Sequence, residues 1–75
     1  MNRVNVVFGD DWQGLYLNGI LFTQGHSVHV NELGDIINKN GGIHEYVANE
    51  VCFQWMGDMG HFPKFFIDIP KDVIQ

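Results

Sequence analysis

The stretch that decides the fold is Trp12-Gln13-Gly14-Leu15-Tyr16-Leu17-Asn18-Gly19-Ile20-Leu21-Phe22-Thr23. An Asn-Gly pair between two apolar runs is typical of a β-hairpin with a two-residue turn, because both turn residues need a positive φ angle and these two adopt it most easily. Such a turn is predicted to pair Leu17 with Ile20, Tyr16 with Leu21 and Leu15 with Phe22.

Both faces of this hairpin are apolar. Side chains alternate across a strand, so one face is predicted to hold Leu15, Leu17, Ile20 and Phe22 and to point toward the core. The other face presents Tyr16 and Leu21. We therefore expect that this second apolar face of the hairpin stays uncovered, because the chain is too short to cover both faces.

The chain length and the cysteine content define the class of protein. Seventy-five residues predict one domain, residues 1–75, whose core is small enough that association with another chain would help to stabilise it. The single cysteine, Cys52, excludes an internal disulfide and favours a reducing, cytoplasmic setting. Because the sequence has no apolar run of membrane-spanning length and no leader pattern, we expect no membrane association.

The charge argues against direct binding of nucleic acid. The formal net charge is −5, and the four basic residues are scattered along the sequence rather than clustered. Phosphate recognition depends on clustered Lys and Arg, so nucleic acid is not expected as a partner. An acidic mimic of nucleic acid stays open as an alternative, although the nine acidic residues are scattered too.

Hydrophobic periodicity predicts the remaining elements. Alternating apolar residues predict a first strand that ends at Gly9, and helical spacing predicts one short helix over residues 32–40. The stretch 43–55 fits either type of element, and its aromatic and β-branched content favours a strand. Residues 56–61 are expected to form a loop or distorted turn, and residues 63–69 a last strand. The predicted fold class is α+β, a small antiparallel sheet with one short helix packed on one face.

Catalytic motifs are not recognisable. The chain has one serine, one threonine and one cysteine, and Cys52 has no cation beside it that would activate it. Ser27 and His29 would share one face of a strand and leave a weak dyad open, but no nucleophile-elbow pattern surrounds them. No glycine-rich loop has a nucleotide-binding spacing. We therefore expect a protein that is not an enzyme and that needs no cofactor.

One weaker alternative is a metal-dependent or hydrolytic site built on Asp10, Asp11, His26 and His29. Carboxylates and imidazoles are ordinary ligands of divalent metals. Their spacing matches no closed zinc motif and no calcium loop, so turn capping and polar surface positions account for them more simply.

The surplus of aromatic residues favours binding to another protein. Large exposed apolar patches mark interfaces, and aromatic anchors supply much of the binding energy there. The predicted contact residues are Trp12, Tyr16, Leu21 and Phe66. The same residues could instead be the core of an aromatic-rich domain. We therefore expect a protein-binding module that also self-associates; whether the interface forms a homodimer or a complex with a larger protein stays open.

The run from Gly9 to Gly19, followed by Gly25-His26-Ser27, resembles a pattern found in small proteins of phages and bacteria. The resemblance covers about the first third of the chain and has no activity attached to it. It implies a small cytoplasmic protein from a phage or mobile element, and such proteins often bind and inhibit a host complex.

Overall fold

The computed structural model describes residues 2–9, 11–26, 34, 39, 41 and 45–75. The described elements are four strands, one helix and two short 3-10 turns: β1 Arg3–Phe8, β2 Gln13–Leu17, β3 Ile20–Gly25, β4 Glu45–Glu50, α1 Phe53–Met59, η1 Phe66–Asp68 and η2 Lys71–Val73. The predicted α+β class is confirmed. The helix predicted over residues 32–40 lies outside the described residues, apart from Gly34 and Lys39.

The sheet is mixed rather than antiparallel. Its strand order is β3-β2-β1-β4. The pairs β2–β3 and β1–β2 are antiparallel, but β4 pairs with β1 in parallel, with Arg3 beside Glu45 and Phe8 beside Glu50. The predicted wholly antiparallel sheet is therefore wrong at β4. A parallel pair needs a long crossover connection, and strand periodicity carries no information about its direction.

The turn between β2 and β3 consists of Asn18 and Gly19, with φ angles of 53° and 83°. Leu17 pairs with Ile20 and Tyr16 with Leu21. The expected pair of Leu15 with Phe22 is not formed. A bulge places one extra residue in β3 at this point, so Leu15 pairs with Thr23 instead.

Buried residues form two clusters, one on each face of the sheet. One cluster contains Val4, Val6 and Leu15. The other consists of Val7, Tyr16, Val51, Met56, Phe62 and Ile69. Four of the six residues in the second cluster come from the chain after β4, so this C-terminal segment covers the Tyr16 face.

The C-terminal segment is helical where extended or irregular structure was expected. Residues 45–50 form a strand, as favoured, but α1 occupies Phe53–Met59. The helix ends at Gly60, whose φ of 75° is left-handed and whose N–H donates to the Met56 carbonyl oxygen at 2.9 Å.

Residues 63–69 do not form the predicted last strand. Phe65 makes a single bridge to Ile20, and the chain then turns into η1. Residues three apart align in a 3-10 turn, so Phe66 and Ile69 both pack on the core while Ile67 points outward. Alternation alone could not distinguish this arrangement from a strand.

The end of the chain is docked on β4. Ile74 bridges Val51, the Gln75 N–H donates to the Glu50 carbonyl oxygen at 2.7 Å, and the Cys52 N–H donates to the Val73 carbonyl oxygen at 2.8 Å. These bonds fix the C-terminal segment at its far end.

Candidate protein interface

Tyr16 is a core residue, and the expectation that it is exposed is wrong. Its side chain is fully buried. The ring lies 5.4 Å from the Phe66 ring and 6.5 Å from the Phe62 ring, both edge-to-face, and its hydroxyl donates to the Pro63 carbonyl oxygen at 2.5 Å. The earlier expectation failed because residues after β4 fold over this face instead of extending the sheet.

The other three predicted contact residues belong to the same packing. Trp12, Leu21 and Phe66 are half-buried against the buried cluster that contains Tyr16, Met56 and Phe62. Trp12 also donates its indole N–H to Gln24 Oε1 at 3.0 Å. Their role in an interface stays a prediction, but none of them presents a whole side chain to solvent.

The Gln24 side chain ties the hairpin to the C-terminal segment. Its Oε1 accepts the Trp12 indole N–H and also the Phe62 backbone N–H, the latter at 2.8 Å. Phe62 is thereby held over β2, where Gly14 has no side chain to obstruct its ring. The hairpin and the segment that covers it therefore act as one packed unit.

Large apolar side chains are exposed beside the start of β3. Their exposed fractions are 49% for Ile20, 44% for Phe22, 43% for Phe65 and 87% for Ile67. We call these four residues the β3 surface. The core positions predicted for Ile20 and Phe22 are wrong: Phe22 lies at the bulge, which local patterns do not reveal, and Ile20 pairs with Leu17 as predicted but is exposed.

Backbone bonds hold Phe65 beside the hairpin. The Leu21 N–H donates to the Lys64 carbonyl oxygen at 2.7 Å, and the Phe66 N–H donates to the Gly19 carbonyl oxygen at 2.9 Å. Successive side chains of an extended segment point to opposite sides, so Phe66 enters the core and Phe65 faces outward. The exposed position of Phe65 thus follows from the packing of Phe66.

An open groove of about 320 Å³ lies on this part of the hairpin, lined by Leu17, Asn18, Ile20, Leu21 and Phe22. The Lys64 ammonium lies 5.5 Å from the centre of the Phe65 ring, within cation–π range. An apolar centre with a charged group at its margin has the layout of a protein interface.

Two of the four residues of the alternative metal site, Asp11 and His26, lie together at the opposite end of the hairpin. His26 Nδ1 lies 3.2 Å from the Asp11 carbonyl oxygen and 3.9 Å from Asp11 Oδ2, and both side chains are largely exposed. Asp10 and His29 lie outside the described residues. Within the described ranges, no group of three or more His, Cys, Asp or Glu side chains could hold a metal ion.

A second, smaller cavity adjoins this pair. It has a volume of about 180 Å³ and lies between Asp11, Trp12 and helix α1. The His26 ring stacks edge-on against Trp12 with a centroid distance of 5.1 Å. The contacts of His26 are thus those of a side chain that packs on the hairpin exit.

In the described part of the chain, no helix has the length and apolar character needed to cross a membrane. Comparison of the chain with protein-family models, curated proteins and solved structures gives no match.

Proposed function

We propose that this chain is a non-enzymatic protein-binding module whose partner docks on the β3 surface. The observation that supports the proposal is the exposure of four large apolar side chains on neighbouring segments that are rigidly held. Large apolar side chains that face water favour association with another surface, whereas the same fold buries the aromatic residues Tyr16 and Phe62. Exposure at these positions is therefore best explained by a partner.

The positioning of the surface supports the same proposal. Ile20 and Phe65 form a backbone bridge, so their separation is set by the fold and not by flexible side chains. Preorganised apolar anchors lose little entropy on binding, which favours affinity. The resemblance of the N-terminal third to small phage and bacterial proteins suggests that the partner is a larger host complex that the module inhibits or modulates.

The test is capture of a partner from host lysate by the tagged protein and by two variants. Ile67→Glu places a charge in the most exposed part of the β3 surface and should abolish capture. Met59→Glu makes the same kind of change at an exposed position on α1 and should leave capture intact. Removal of one interface anchor typically costs about 2 kcal/mol or more in binding free energy, a loss of about 30-fold in affinity.

Both variants should unfold at the wild-type temperature, because surface substitutions usually change stability by less than about 0.5 kcal/mol. Equal capture by wild type and Ile67→Glu would refute the β3 surface as the binding site.

A further inference from the structure

Within the described residues, backbone groups on the outer edge of β4 have no hydrogen-bond partner. The Glu45 N–H donates to the Asn2 carbonyl oxygen at 3.2 Å, and the Val51 N–H donates to the Phe8 carbonyl oxygen at 2.9 Å. The backbone N–H and C=O groups of the odd-numbered residues of this strand therefore point toward β1. Backbone groups of successive strand residues point to opposite sides. The N–H and C=O groups of Tyr46 and Ala48 therefore point away from the sheet.

The C-terminal end of the chain already pairs beside the end of β4, and this pairing is antiparallel. Ile74 bridges Val51 in the antiparallel sense, and Gln75 bonds to the outward carbonyl of Glu50. In the described part of the chain, this pairing stops at Glu50. The edge from residue 45 to residue 49 has no described neighbour beyond β4.

We propose that a second copy of this chain pairs with this edge, β4 against β4, in an antiparallel register centred on Val47. In that register, Tyr46 lies opposite Ala48 of the second copy. Each copy contributes two outward N–H groups and two outward C=O groups, which pair completely as four hydrogen bonds. The pairing forms one continuous eight-stranded sheet from two four-stranded sheets.

The side chains suit this register. The large Tyr46, 54% exposed, lies beside the small Ala48, and Glu45 lies opposite Asn49 rather than opposite another acid. The charge of Glu45 is already compensated by Arg3, whose Nη2 lies 3.2 Å from its Oε1. The strand contains no proline or lysine, the residues that commonly block pairing at sheet edges.

The neighbouring registers are less favourable. Centring on Ala48 would pair Tyr46 with Glu50, whose outward carbonyl already accepts the Gln75 N–H. Centring on Tyr46 would pair Ala48 with residue 44, which lies outside the described residues. The Val47 register uses every outward group of Tyr46 and Ala48, stays within Glu45–Glu50 and leaves the docked tail in place.

The first test is the mass of the 75-residue protein in sedimentation experiments from about 1 μM to about 1 mM, the affinity range of small interfaces. A dimer that dissociates on dilution is expected. Ala48→Pro removes an outward N–H while leaving the bonds to β1, and should lower the affinity at least tenfold. A monomer at all concentrations would overturn the proposal.

The second test does not depend on the folding of a proline variant. In a Cys52→Ala background, Val47→Cys places two thiols at the centre of the register, where directly opposed Cβ atoms lie about 4.5–5.5 Å apart. Mild oxidation should link it into a covalent dimer. Asn49→Cys lies off the centre and should stay monomeric.

Equal cross-linking of both cysteine variants would rule out this register. The β3 surface takes no part in the pairing, so Ile67→Glu should still form the dimer. Loss of partner capture and loss of dimerisation are thus separate results.

Discussion

At the residue scale, Tyr16 shows how one side chain joins the two halves of the molecule. Its ring packs between two aromatic residues of the C-terminal segment, and its hydroxyl bonds to the backbone at Pro63. Burial raises the pKa of the Tyr16 phenol, and the carboxylate of Asp68 raises it further. The neutral phenol is therefore the form that the folded state requires.

This pKa shift predicts a loss of stability in alkaline solution. The unfolded phenol ionises above about pH 10, whereas the folded one stays protonated, so unfolding is favoured as the pH rises further. The free energy of unfolding should fall by up to about 1.4 kcal/mol per pH unit from this group. Denaturant titrations between pH 8 and pH 12 measure the effect.

Tyr16→Phe provides the comparison. It should be less stable by about 1–3 kcal/mol at neutral pH, because the Pro63 carbonyl oxygen loses its donor. Its stability should decline less steeply above pH 10 than the stability of the wild type, because the buried phenol is absent. An unchanged slope in Tyr16→Phe would show that the buried phenol is not the group responsible.

At the scale of elements, the packing of Phe62 on β2 depends on a missing side chain. A Cβ atom added at Gly14 would lie 2.5 Å from Cδ2 of the Phe62 ring, too close without movement of the ring. At Gly57, within α1, an added Cβ would meet nothing within 4 Å. The two glycines therefore make a matched pair.

Gly14→Ala should destabilise the protein by about 1–3 kcal/mol through overpacking. Gly57→Ala should stabilise it by about 0.5–1 kcal/mol, because alanine loses less backbone entropy in a helix. Thermal unfolding of both variants gives the comparison. If Gly14→Ala were as stable as wild type, the contact of Phe62 with β2 would be in error.

The sequence predicts the structure correctly where its residues favour a single local backbone conformation. The Asn18-Gly19 pair specifies its turn because few other residues adopt two successive positive φ angles, and the alternation before Gly9 specifies β1. The bulge at Phe22 and the parallel pairing of β4 depend on contacts between distant segments, so local patterns do not reveal them. The outward position of Ile67 has the same origin.

At the scale of the whole molecule, we propose two different surfaces for contact with other proteins. One is the set of exposed apolar side chains at the β3 surface. The other is the outer backbone edge of β4, which is the edge of the sheet opposite to β3. The hairpin face that was expected to bind a partner is occupied by the C-terminal segment. The expectation that a chain of this length leaves the Tyr16 face uncovered is therefore wrong, and the large exposed apolar side chains lie at other positions.

The most direct test of this division between core and surface compares Tyr16→Glu with Ile67→Glu by circular dichroism during thermal unfolding. A charge at Tyr16 would be buried without a partner, so this variant should lose its cooperative transition. Ile67→Glu should melt within a few degrees of wild type. A Tyr16→Glu protein that melts like wild type would contradict the burial of Tyr16 beneath the C-terminal segment.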